Sequence, residues 1–437
     1  MNLQKLKLET LDSLIQAHER FAKGQRGGNR LNLQFFDAAG MNFANRDLRQ
    51  ANMVGGSFRG SLFRFSKLET ANFYGADLEG ADLSSTNLHR ADLRGARLRG
   101  ANLEFADLTG ADIRDGRLLR PDADGNLVAV TSGGAITEKA HMSHAKLIGA
   151  KLGRAFSQHA DLSHANLANA KLVDADLSNC DLRGTIFVGA DLTNTNMSNC
   201  KLSGAVLAGA MLNGTIFENA DLAGAFFRGN DMRDAKTKGA MMPRSLESLE
   251  KPLQAILREH QAWTESMGLK GKRADFSRVD ISSAKLHRLE LSAALFVQST
   301  MVETDLTMAV LSMTDFTDAM LLNANLTSAD LRGAKFSGAN MIGANLKQAK
   351  MGPMPISSLQ GKKWHASLEN ANLSQAVLTG CDLSGASLNQ AILMHADLRD
   401  ANLSGADFTG ADLTGADLRD ANLSGADLRS AIGVNLS

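Results

Sequence analysis

The chain has 437 residues, and its 47 Lys and Arg are matched by 47 Asp and Glu. That balance leaves no global field to attract nucleic acid or to imitate it. Cys180, Cys200 and Cys381 are an odd number with no framework, which points to a reducing compartment. No apolar run reaches the roughly 18 residues that a membrane span needs.

In chain order, residues 1–28 carry Leu11, Leu14, Ile15, His18 and Phe21 at helical spacing, with charges between them. This predicts an amphipathic helix that stops toward Gly24, Gly27 and Gly28. The opening MNLQKLKLETLDSLIQ lacks the uninterrupted apolar stretch of a secretory leader, so a cytoplasmic protein is expected. From Leu33 a different spacing begins, with large apolar centres at Phe43, Leu48, Met53 and onward to Leu118, five residues apart. Residues 119–141 break that register. Asp124-Gly125 ahead of the β-prone run Leu127-Val128-Ala129-Val130 predicts a protruding hairpin.

The register resumes at Met142 and runs through Leu162, Leu182, Leu202 and Leu222 to Met242. Residues 243–273 interrupt it again. Leu253, Ile256, Leu257, His260 and Trp263 repeat the spacing of the first helix, and Gly271 and Arg273 answer to Gly28 and Arg30. An internal duplication follows: a helix and then a five-residue repeat, twice. The second repeat region runs from Phe276 to Met351, breaks at 352–367, and continues from Leu368 to Leu428.

The period is clearest in residues 396–408, ADLRDANLSGADF, and 416–428, ADLRDANLSGADL. A small residue, then Asp or Asn, then Leu or Phe, is followed by two polar or small residues. Five fits neither the helix period nor the strand period. It fits a chain that turns one corner per repeat, with the small residue and the Leu or Phe both facing inward. Phe276, Phe296, Phe316 and Phe336, spaced by 20, predict four repeats per coil and one stacked interior column. Coils of this kind stack at about 4.8 Å.

These residues resemble the pentapeptide-repeat proteins, whose pattern is A(D/N)LXX. The resemblance implies an all-β fold, a right-handed quadrilateral β-helix. With the duplication, the expected layout is a capping helix over 1–30 and a β-helix over 31–242 with the 119–141 insertion. A second capping or linker helix over 243–273 then precedes a β-helix over 274–437 with the 352–367 insertion.

Signatures of chemistry are missing. The sequence holds no C-x-x-C, H-E-x-x-H or phosphate-binding glycine motif. The Asp residues fall in the repeat slot before each centre, which marks them as corner residues rather than acid and base partners. No catalytic, cofactor-binding or metal-binding residue is therefore expected, and no cofactor. His144 and His164 share one outward slot and read as an exposed polar ladder. His18 and His260 read as anchors of the two helices.

Three surfaces are candidates for interaction. Arg97, Arg99, Arg117 and Arg120 cluster beside the predicted hairpin. Val302, Leu322 and Ile342, with Met320, form an outward apolar stripe that the 352–367 segment, through Trp364, is expected to cover. Ile432, Val434 and Leu436 alternate like a strand and are expected to form a last partial coil at which a homodimer closes. The function expected is a non-enzymatic scaffold for an unidentified protein partner, without a small-molecule substrate, nucleic acid or membrane. The alternative that the resemblance raises is imitation of a DNA duplex to bind a type II topoisomerase. Only residues 368–437 are acidic enough to suit it, with 9 acidic against 3 basic side chains.

Overall fold

A computed structural model describes residues 3–116, 119–121, 127–129, 137, 139–153, 158–355 and 363–434. The chain divides into two compact units, Met1–Asp221 with Phe227–Met241, and Leu222–Phe226 with Met242–Ser437.

In both units the backbone winds as a β-helix. Parallel bridges join residues one coil apart, as in Asn32 to Asn52 to Asn72, or Asp305 to Asn325 to Asn345. Each centre donates its N–H forward to the next coil, Leu33 to Asn52 O at 2.7 Å. The next coil donates back on the other side, Asn52 N–H to Leu31 O at 2.9 Å. One repeat is thus pinned above and below, which makes stability a sum over neighbouring coils.

The inward slots are filled. Leu, Phe, Met and Ala at the centre and small positions are almost all fully buried. Phe276, Phe296, Phe316 and Phe336 stack with centroids 5.2, 5.1 and 4.7 Å apart. Phe43 and Phe63 stack at 4.7 Å in the first unit. The three cysteines occupy small inward slots and are free and buried. Burial pushes the Cys180 thiol up to about 12 and raises Cys200 and Cys381 well above the ordinary range. Because the thiolate is the nucleophile, the folded protein is expected to give no reaction with a thiol-specific reagent, and all three cysteines should react after unfolding. A titratable thiol in the native state would contradict this.

The slot before each centre explains its own composition. An Asp or Asn oxygen there accepts the N–H two residues on, as Asn72 Oδ1 does from Tyr74 at 2.9 Å and Asp161 Oδ1 from Ser163 at 3.0 Å. The side chain holds the corner that the backbone must turn.

Helix α1 (Leu8–Ala22) buries Leu11, Ile15 and His18. Strand β1 (Gln4–Lys5) leads into it and pairs in parallel with β2 (Phe36–Asp37). Strands β3 (Leu119–Pro121) and β4 (Leu127–Ala129) form an antiparallel pair with Arg120 opposite Val128. The coils continue past this insertion, with Asn102 bridged to His141. In the second unit, β5 (Arg244–Ser245) pairs in parallel with β6 (Val279–Asp280). Helix α2 (Leu253–Glu265) lays Leu253, Ile256 and Leu257 against the core. Strands β7 (Met354–Pro355) and β8 (Lys363–Trp364) form the antiparallel base of the second insertion.

Candidate interaction surfaces

Part of the charge on the outer faces is neutralised within one repeat. Where Arg follows the centre, it forks onto the Asp that precedes it: Arg94 on Asp92, Arg114 on Asp112, Arg332 on Asp330, Arg399 on Asp397. The Arg399 hydrogen bond holds Asp397 well below the usual carboxylate range. Such forks are bidentate and lock both side chains to one corner.

The Arg cluster is divided among these local pairings. Arg97 is exposed and lies 3.8 Å from Glu79, which also takes Arg59 at 2.7 Å. Arg59 reaches Asp77 as well, at 3.1 Å. Arg99 is exposed two residues further on, on the other side of Leu98. Arg120 enters the β3–β4 pair through its backbone, and Arg117 lies outside the described residues. Arg94 adds a cation–π contact over Tyr74, 5.1 Å from the ring centroid.

The apolar stripe requires a correction. Met320 is 0% and Val302 5% exposed, and Leu322 and Ile342 are half-buried, so no open ladder exists there. Met320 sits in the slot before its centre, in a bridged column with Thr300 and Asn340, which are buried too. The chain's own atoms exclude solvent from that column. Trp364 does not join it. It lies beside Gly333 and Met313, within 3.4 Å of where a Gly333 Cβ would stand, and is 48% exposed. The insertion leaves the coil after Met351 and returns at Ala366, so its base sits on the Leu311–Leu331–Met351 corner and not on the Met301–Leu321–Met341 corner. Residues 356–362, which carry the rest of the expected cover, lie outside the described residues.

His144 and His164 are not an exposed ladder either. Phe105, His144 and His164 stack face to face at 4.8 and 5.1 Å, and both imidazoles are buried. Each ring shields the next. Gly184 follows in the column, where any Cβ would stand 2.5 Å from His164 Nδ1. Among the described residues no three metal-ligating side chains gather.

The two helix histidines do the same job twice. His18 Nδ1 accepts the Leu31 N–H at 2.9 Å, and His260 Nδ1 accepts the Ala274 N–H at 3.1 Å. Each stacks on the aromatic three residues on, Phe21 or Trp263. Burial lowers the pKa of both, and burial beside His144 and Arg183 lowers that of His164 to about 3. Below about pH 6.5 the unfolded chain therefore takes up protons that the folded chain refuses. The stabilisation is complete above that pH and drains away as pH falls. For His164 the loss reaches about 2 kcal/mol by pH 5. Urea midpoints at pH 7 and pH 5 check this, and equal midpoints would contradict it.

The last described coil is paired less fully than the inner ones. Inner centres pair forward, as Leu398 N–H does with Asp417 O at 2.8 Å, and Asp417 N–H returns to Ala396 O at 2.9 Å. Among the described residues the N–H groups of Leu423 and Leu428 and the carbonyls of Ala421 and Ala426 have no such partner. Ile432 extends the pairing one step, donating to Ala411 O and accepting from Leu413. Val434 lies partly buried on the core with Leu423 and Leu428, and Leu436 lies outside the described residues.

A family model described as "Pentapeptide repeats (8 copies)" matches in overlapping stretches spanning 42–115, 140–236, 309–348 and 364–432. These take in well over half of the chain. Among solved structures, HetL of the cyanobacterium Nostoc, involved in heterocyst differentiation regulation, is 25% identical. The match covers 79% of this chain and 88% of HetL, with a TM-score of 0.16. A pentapeptide-repeat protein of the Arabidopsis thaliana thylakoid lumen is 26% identical over 27% of this chain and 66% of its own, at a TM-score of 0.19. QnrB1, a plasmid-mediated fluoroquinolone resistance protein, is 19% identical over 56% of this chain and 99% of its own, at 0.26. No curated protein sequence matches the chain.

Proposed function

We propose, given that this chain belongs to the pentapeptide-repeat family, whose members fold as right-handed β-helices, that it works as a non-enzymatic interaction scaffold which self-associates through its last coil. The observation that carries this reading is the edge at Leu423 and Leu428, where donors and acceptors alternate above half-buried apolar side chains. An unpaired β edge templates another strand. A second copy related by a two-fold axis meets it with the same donors, acceptors and apolar side chains.

In this reading residues 1–30 and 243–273 cap the starts of the solenoids over 31–242 and 274–437. The 119–141 and 352–367 insertions then serve as lateral contact points for a protein partner, beside Arg97 and Trp364. Imitation of DNA for a topoisomerase is the second reading: the Asp–Arg forks cancel part of the field it needs, while residues 368–437 keep 9 acidic against 3 basic side chains. A gyrase supercoiling assay separates the two readings, with no inhibition expected.

Light scattering tests the self-association. The intact chain should give twice the chain mass, and the double variant Leu423→Lys, Leu428→Lys should give the single mass. A monomeric intact chain, or a dimer unaffected by the two lysines, would refute it.

A further inference from the structure

The second unit departs from its duplicate at the junction ahead of its helix. In the first unit only Leu6 and Lys7 join β1 to α1, whereas the second places Leu246–Pro252 between β5 and α2. The residues between β5 and α2 include a short 3-10 turn over Leu246–Ser248. A cleft of about 380 Å³ lies between them and the first coil. That is within the size range of small-ligand sites. Counted to the matching residues Leu11 and Leu253, five residues follow β1 and seven follow β5, so the second junction is longer by two.

The lining is a mixture that narrows the ligand. Leu249 and Ile256 supply an apolar wall. Of the four cations, Lys251 is paired with Glu259, and Arg273 spends its Nε on the Ala293 carbonyl. Arg244 and Lys272 have no ion pair or side-chain hydrogen bond among the described residues. Against them stand Glu250 and Asp275, and Asp275 accepts the Ser277 N–H at 2.9 Å. The cleft is left with a net positive charge, with free donors beside an apolar wall. We infer that this cleft binds a small amphiphilic anion, a carboxylate or phosphate head on a short apolar stem. The head meets the Arg244 fork and the Lys272 ammonium, and the stem lies on Leu249 and Ile256. A guanidinium suits either head by bidentate bonding.

Calorimetric titration of the full chain tests this with hexanoate, hexyl phosphate, inorganic phosphate and hexylammonium as probes. At least one of the two hexyl anions should bind, and which one identifies the head. Inorganic phosphate, lacking the stem, and hexylammonium, of opposite charge, should each bind about tenfold more weakly or less. The double variant Arg244→Gln, Lys272→Gln should weaken the anion about tenfold or more, because two charge-assisted bonds are lost. Leu249→Asn should remove the advantage of the hexyl anion over inorganic phosphate. The Arg244 and Lys272 side chains are exposed and, among the described residues, unpaired, so their double variant should keep the wild-type urea midpoint, which separates lost binding from lost folding. Silence of both hexyl anions at millimolar concentration, equal binding of hexylammonium, or full affinity in the double variant would overturn the assignment.

Discussion

Truncating Phe316 to Ala should lower the stability of the second unit by about 3–5 kcal/mol. The ring is fully buried and touches its neighbours on both faces, 5.1 Å from Phe296 and 4.7 Å from Phe336. Removing it deletes two stacking contacts and opens a cavity in the middle of a column. Bridged coils above and below hold the walls apart, so the gap has little freedom to close. Phe316→Leu keeps most of the volume and should cost less than half as much. Urea unfolding followed by circular dichroism measures both. A Phe316→Ala loss below about 1 kcal/mol would mean that the column is not tightly filled.

Replacing Gly271 with Val should lift α2 from the second unit. A Cβ at Gly271 would stand 2.1 Å from Glu259 O, 2.8 Å from Trp263 N and 3.0 Å from Ala262 Cβ, at a φ of +74°. Two of these three atoms are helix backbone and cannot rotate away, so the helix itself must move. It would then surrender the packing of Leu253, Ile256 and Leu257 and the His260 bond to Ala274. A loss of about 2–4 kcal/mol is expected, together with a red shift of Trp263 fluorescence. Trp364 is already 48% exposed and should contribute little to that shift. A wild-type emission spectrum in Gly271→Val would show that the close approach is not needed for docking.

Gly28 shows how much of this was legible in the sequence. Its match to Gly271 was readable as part of the duplication, and the reason for it was not. A Cβ at Gly28 would meet Phe21 N at 2.3 Å, so both glycines lie beneath the helix that precedes them. The coil itself was readable because each inward or outward choice is local to five residues, and the Phe276–Phe336 column showed in the spacing alone. His18 and His260 were readable as anchors because each lies on an apolar helix face, although the N–H that each accepts depends on the fold.

Outward faces were much less legible, because a repeat specifies which way a side chain points and not what covers it. Val302 and Met320 pointed outward and proved buried. Trp364 was assigned to the wrong corner, since an insertion of unknown path could lean either way from Met351. His144 and His164 read as solvated polar residues until Phe105 and Gly184 were seen to complete their stack. The cleft at α2 had no signal beyond the extra residues between Arg244 and Leu253, which an alignment of the two duplicates by their β–helix junctions would have exposed.

The most direct test of the proposed association is amide exchange at Leu423 and Leu428, followed across protein concentration. Leu398 and Leu403, paired inside the coil at 2.8 and 2.9 Å, serve as internal standards. Self-association through this edge predicts that the two edge amides are protected in concentrated solution and exchange freely on dilution, while the standards stay slow throughout. Edge amides that exchange at one rate over the whole concentration range would contradict it.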